Sequence, residues 1–417
     1  MSNRTISKFQ MTLATISLFV GNATSEFFSF ALGLYILKTT GSSLLFSIIA
    51  FVGPAAQTLL TPLIGYLVDR FPHKGVALSA QITSVIVMAI FVFNIKTALQ
   101  RPALSIILLV TLLNVCDGFQ STAYKASSNQ MVMAEDLQKL VSLEQLGSTI
   151  TTLAAPILGG VLYSYLSLRI FSLIELIGET IVLLFIMALR FRYFALKTQP
   201  EKKSDDSIWQ SFKQGLTYIT TSTILRPLLL FIVIMDLAFS SISIGLPYIT
   251  VKVLNVSNTQ YGMIQAAISF GMILGSLLLS LSNTITQKLP KISNIGLTFC
   301  TLLAALSFIS FNIFSVSISV ALYIIILAFV GLILIVINIP FATFIRKNTP
   351  ENLQGRVNIT VNATANLSIS VGVLLFGFLF GKFQPTVIFA VVTVILFTIS
   401  VRFYRALSFS IPKNNVD

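Results

Sequence analysis

The 417-residue sequence has one histidine, two cysteines and charge at only 10% of its positions. A water-soluble chain of this size carries about 25% charged residues, so the shortage excludes an ordinary soluble domain. The lone His73 leaves no material for a Ser-His-Asp triad or a histidine-based metal site. Cys116 and Cys300 both fall inside apolar runs, which argues against a disulfide framework and against a multi-ligand metal centre. No G-x-x-x-x-G-K-[ST] loop occurs, which argues against ATP-driven chemistry by this chain alone. An enzyme is not expected, and neither is a cofactor. The N-terminus shows no cleavable signal, because Arg4 and Lys8 lead into an apolar run too long for an h-region.

What is present is hydrophobicity, at 55% of positions, and a net charge of +13. The basic residues are scattered between apolar runs, so the partner they imply is a lipid bilayer and not a nucleic acid. About 20 apolar residues cross a hydrocarbon core. The backbone polar groups must be satisfied within each segment, so the spans are helices. Twelve are predicted, at approximately 11–37, 44–68, 76–95, 102–126, 141–165, 168–190, 227–250, 259–282, 292–311, 316–340, 357–381 and 385–405. With the N-terminus in the cytoplasm, all but six of the 27 basic residues lie on the inner side. The exceptions are Lys38, Lys96, Arg101, Arg169, Lys252 and Lys382. By the positive-inside rule both termini are cytoplasmic.

The longest polar stretch, 191–226, separates two halves, 1–190 and 227–417. It opens with Lys197, Glu201, Lys202, Lys203, Asp205 and Asp206 as a hydrophilic linker. Ile208, Phe212, Leu216 and Ile219 then recur at helical spacing beside Trp209 and Lys213, which predicts an amphipathic helix lying on the inner leaflet. The halves are related. Gly33-Leu34 with Gly53 recurs as Gly245-Leu246 with Gly271. Glu135-x-Leu137-Gln138-x-x-Val141 recurs as Glu351-x-Leu353-Gln354-x-x-Val357.

The loop after the second span, GYLVDRFPHK at 65–74, resembles the G-x-L-A-D-R-x-G-R-K loop of the major facilitator superfamily, with Pro72 and His73 as departures. Parallel repeats of this kind also occur in that superfamily. The resemblance implies an all-α membrane protein of twelve transmembrane helices in two pseudo-symmetric six-helix bundles. It also implies a secondary transporter with a small-molecule substrate, acting as a functional monomer. Ala155-Pro156-x-x-Gly159-Gly160 is similar to the end of the G-P-x-x-G-G antiporter motif. The run PENLQGRV at 350–357 is similar to the P-E-x-L-G-R-V segment of macrolide-efflux-type drug:proton antiporters, with Gln354 as an extra residue. By resemblance, Gly65, Asp69, Arg70 and Lys74, with Glu351 and Arg356 before the eleventh span, form a cytoplasmic gate in which Asp69 meets the positive end of that helix. The matching position in the second half, 282–288, has lost its acid-base pair. The arginine that many such antiporters carry in span four is absent here.

An acid at mid-bilayer costs about 2.5–3.5 kcal/mol on insertion scales. Desolvation disfavours its charged form and suits it to binding and releasing a proton. Glu26 in span one, Asp117 in span four and Asp236 in span seven are the proton-coupling candidates, because those spans line the central cavity of the fold. Glu175 and Glu179 share one face of span six, where an interfacial or structural role is expected. Glu144 lies near the cytoplasmic end of its span. Asn358, Asn362 and Asn366 form a row on span eleven, for helix-to-helix hydrogen bonding or for contact with span two. The function expected is proton-coupled efflux of amphiphilic, macrolide-like compounds. Export of a self-made metabolite such as a siderophore, and a non-transporting receptor of the same fold, stay open.

Overall fold

The computed structural model describes residues 3–194, 208–222, 225–281, 290–309 and 314–410. The first unit has α1 (Asn3–Thr40), α2 (Ser43–Arg70), α3 (His73–Phe93), the single turn α4 (Ile95–Ala98), α5 (Pro102–Met131), α6 (Ala134–Leu162) and α7 (Leu168–Ala188). The second has α8 (Ile208–Thr221), α9 (Leu225–Tyr248), α10 (Asn258–Leu281), α11 (Pro290–Ile309), α12 (Val316–Lys347), α13 (Glu351–Lys382) and α14 (Pro385–Ser410). A π-helical turn, Ile249–Val253, extends α9 past Pro247, whose missing N–H breaks the regular ladder. The chain divides into units Met1–Thr40 with Ile48–Ser204, and Gly41–Ser47 with Asp205–Asp417. The first turns of α2 therefore group with the second unit. There Ser43 Oγ donates to the Gly377 carbonyl at 2.9 Å.

A long helix stands at each of the twelve predicted spans. Several run further than their apolar stretch. α5 continues to Met131, α12 continues to Lys347, and α6 and α13 begin at Ala134 and Glu351. Apolarity marks only the part of a helix that needs lipid, while the backbone ladder continues through polar turns. Among the described residues, nine helices are long and apolar enough to cross a bilayer, and two shorter apolar segments, Leu297–Ile309 and Pro385–Val401, accompany them. α1 is not among the nine, because Asn22, Thr24, Ser25 and Glu26 interrupt its apolar run.

Within each unit the helices pair in one pattern. In the first, α1 packs on α6 and α7, and α3 packs on α5 and α7. In the second, α9 packs on α13 and α14, and α11 packs on α12 and α14. The repeated glycines fall on the second long helix of each unit and meet different neighbours. A Cβ on Gly53 of α2 would lie 2.5 Å from the Asn114 side chain of α5, and one on Gly271 of α10 would lie 1.9 Å from the Ala328 carbonyl oxygen of α12. In lipid, helices gain little from apolar burial against one another, so close backbone approach such as that of Gly271 on Ala328 supplies the attraction. The second pair of repeats also falls on equivalent helices, at the starts of α6 and α13.

The amphipathic helix α8 exists, but its apolar face does not all meet lipid. It packs on α13. Ile219 is 2% exposed, and a Cβ on Gly215 would strike the Arg356 carbonyl at 2.4 Å. Lys213 is exposed, as expected. The side chains of Ile208, Trp209 and Phe212, the linker residues Lys197 to Asp206 and the loop 282–288 lie outside the described residues.

Candidate functional site

Three helices of the first unit carry polar stripes at helical spacing. On α1 they are Ser17, Gly21, Asn22 and Ser25. On α5 they are Asp117, Gln120, Ser121 and Tyr124. On α7, Glu175, Glu179, Val182 and Ile186 change from acidic to aliphatic along one face. Together with Gln81 of α3, and closed by Leu189 and Phe191, these stripes wall a cavity of about 210 Å3, Glu175 standing just behind the wall. α1 and α7 approach closely because Gly178 has no side chain. A Cβ there would sit 2.2 Å from Thr24 Oγ1.

The acidic end of the cavity is tightly organised. Gln81 Nε2 donates to the Glu179 main-chain carbonyl at 2.9 Å and also to its carboxylate. Glu175 is 1% exposed and stands one helical turn before Glu179 on the same face of α7. Asp117, exposed to the cavity, lies within electrostatic range of Glu179. Lower in the cavity, Tyr124 Oη donates to Glu144 Oε1 at 2.8 Å. Among the described residues, no lysine, arginine or histidine lines the cavity.

The structure thus joins Asp117 to Glu175 and Glu179, which sequence reasoning had set aside as interfacial. Their four-residue spacing, in register with the Asp117 stripe, was the available signal. Glu26 is on an exposed side of α1 and does not line this cavity. Asp236, in the second unit, is half-buried, and its Oδ2 is buried without a hydrogen-bond partner among the described residues. Asn362 and Asn366 are exposed, so the asparagine row is not enclosed in a helix interface as expected. On α13 it is Thr360, Thr364 and Ser368 that form a ladder, each hydroxyl bonding the carbonyl four residues back at 2.7–2.9 Å.

The charged loop from Gly65 to Lys74 is braced against its own unit. Lys74 Nζ donates to the carbonyls of Met187 and Leu189 at 2.7 and 2.8 Å, placing a cation on the negative end of α7. His73 Nδ1 is 2.7 Å from Ser127 Oγ. Arg70 bonds the Tyr66 hydroxyl and lies over its ring. Arg356 is half-buried near the start of α13, and the side chain of Glu351 lies outside the described residues. In α6, Pro156 is within the helix, Gly160 is buried, and a Cβ on Gly159 would meet the Phe30 ring at 2.8 Å. The motif residues thus shape the α1–α6 contact.

A sequence profile described as Major Facilitator Superfamily matches residues 13–373. The chain belongs to the Major Facilitator Superfamily. It is a multi-pass membrane protein and a secondary transporter, not an enzyme. It is 23% identical over 365 residues to Macrolide efflux protein A of Streptococcus pyogenes, covering 84% of each chain. It is also 23% identical over 345 residues to Macrolide efflux protein A of Enterococcus faecalis, covering 80% of this chain and 99% of that one. Solved structures share the fold. The nucleoside transporter NupG superposes with a TM-score of 0.73 at 12% identity, covering 97% of this chain and 100% of that one. A bacterial homologue of the iron transporter ferroportin, in its inward-facing state, gives 0.71 at 13% identity, covering 96% and 98%.

Proposed function

We propose that this superfamily member exports amphiphilic, macrolide-like compounds in exchange for protons, by alternating access. The observation that carries the reading is the acid-lined cavity of the first unit, in a chain related along most of its length to macrolide efflux proteins. Carboxyls held in a membrane-embedded cavity away from any cation are suited to gain and lose protons as the transporter changes state. The proton gradient then supplies the drive, about 2.3 kcal/mol per charge for each 100 mV. Asp117 belongs to this set by its position, and Glu26 and Asp236 are assigned to it from the sequence. In the same reading, both termini are cytoplasmic, the monomer is the working unit, and Asp69, Arg70, Lys74, Glu351 and Arg356 control access from the inner side.

The test is efflux from cells and from proteoliposomes carrying the purified protein, with and without an imposed pH gradient. A broad panel of macrolides and lipophilic dyes should include compounds expelled only when the gradient is present. Gradient-independent movement would overturn proton coupling. Failure to move any compound in the panel would favour a non-transporting receptor, and movement of metabolites alone would redirect the substrate class.

A further inference from the structure

The end of the first unit remote from the charged loop carries cations without acids. The stretches that join its helices there, 38–43, 94–101 and 163–168, contain Lys38, Lys96 and Arg101 and no aspartate or glutamate. Arg169 follows in the first turn of α7. A pocket of about 450 Å3 lies among these pieces, lined by Tyr35 of α1, Lys96 of α4, Tyr163 after α6 and Arg169, with a mostly aliphatic remainder. Lys38 stands at its edge, with Nζ 5.8 Å from the centre of the Tyr163 ring. Lys96 and Arg169 are exposed, and among the described residues no acidic side chain lines the pocket. The apolar surface beside it is equally ordered. α3 and α7 pack on one another, and each shows an exposed row at helical spacing. On α3 it is Ile82, Ile86, Ile90 and Phe93, and on α7 it is Ile170, Leu173, Ile177 and Leu184. Phe93 precedes Lys96 by three residues and Ile170 follows Arg169 directly, so a cation stands at the head of each row.

We propose that this pocket holds the headgroup of an anionic phospholipid, with its phosphate on Lys96 and Arg169 and its acyl chains along the exposed rows of α3 and α7. The guanidinium fork of Arg169 matches two phosphate oxygens, and Lys96 adds a point charge. Lys38 at the rim raises the positive potential further, and so does the positive end of α7, whose N-cap Ser167 gives its first turn no side-chain bond. Basic pockets at the ends of spanning helices suit lipid headgroups for this reason. A free anion would use the cations and leave the aliphatic rows idle. A zwitterionic lipid brings the same phosphate but sets its ammonium group against three cations. The site also accounts for an exception to the charge pattern: of the six basic residues on the outer side in the proposed orientation, Lys38, Lys96 and Arg169 meet at this one pocket. The lipid is then one of the outer leaflet. The inference goes beyond the export reading and depends on neither its cargo nor its proton coupling.

The test titrates the purified full-length protein, in neutral detergent, with palmitoyl-oleoyl-phosphatidylglycerol or with the phosphatidylcholine of the same chains, and counts bound lipid by native mass spectrometry. Phosphatidylglycerol should bind about tenfold more tightly. The double variant Lys96→Gln with Arg169→Gln should lose most of that preference. Lys139→Gln with Lys213→Gln removes the same charge from exposed positions elsewhere and should keep it. Inorganic phosphate, at ionic strength matched with chloride, should not displace the lipid. Equal binding of the two lipids by the wild-type protein overturns the proposal without any variant. So does a preference that survives in the Lys96/Arg169 protein, and so does one lost equally in the Lys139/Lys213 protein, which would trace it to net charge. Displacement by phosphate would assign the pocket to a free anion and sink the lipid.

Discussion

The two units share one helix-pairing pattern and differ in what they bury. In the first, α1, α3, α5 and α7 meet around carboxyls, amides and hydroxyls. In the second, the counterparts α11, α12 and α14 carry no acid at all, and Asp236 on α9 is the one acidic residue within the apolar spans. The small groove described there is lined by Ile219, Leu225, Leu229, Ile345, Val357 and Val361. A duplicated scaffold fixes where helices cross, because close packing depends on backbone approach. It leaves the polarity of the enclosed space free to diverge. One half of this protein is built to hold charge and the other to hold shape.

The sharpest way to break that comparison is through its matched glycines. Gly271→Ala places a methyl group against the rigid Ala328 backbone, and a loss of about 3 kcal/mol or more is expected. Gly53→Ala meets only the Asn114 side chain, which can turn aside, and about 1 kcal/mol is expected. Melting temperatures of the two purified variants test the ordering, and equal losses would mean that the two glycine contacts do not differ as described. For activity, Glu179→Gln is expected to lower gradient-driven efflux at least about tenfold at equal membrane abundance. Asp236→Asn, with no second acid in the apolar spans of its unit, should cost less. The reverse order would move the coupling chemistry to the second unit.

Asp69→Asn should reduce efflux several-fold at equal membrane abundance. An unchanged efflux rate would remove Asp69 from the gate. The smallest effect is expected from Lys74→Ala. It deletes the two hydrogen bonds at the end of α7 and should cost about 1 kcal/mol, read as a modest drop in melting temperature with a smaller loss of efflux than Asp69→Asn.

Much of this was legible in the chain. Apolar length located every long helix, and the repeat of Gly33–Gly53 in Gly245–Gly271 located the symmetry. Helix ends were less visible, since α13 begins six residues before its apolar stretch with the polar turn that carries Glu351. The inner-leaflet assignment of Ile219 failed because an amphipathic helix has one apolar face whether its neighbour is lipid or α13. Glu175 and Glu179 were set aside for a related reason. Their spacing shows that they share a face, but not that Gly178 lets α1 close over that face with Thr24.

The sequence by itself determined that this chain lives in a bilayer, that it is built twice over, and that it carries the signatures of the Major Facilitator Superfamily. Each follows from local composition and spacing, which act along a single helix. Only the tertiary structure decided which acids stand together, because three carboxyls become one site only when glycine-mediated packing brings α1, α3, α5 and α7 to the same point.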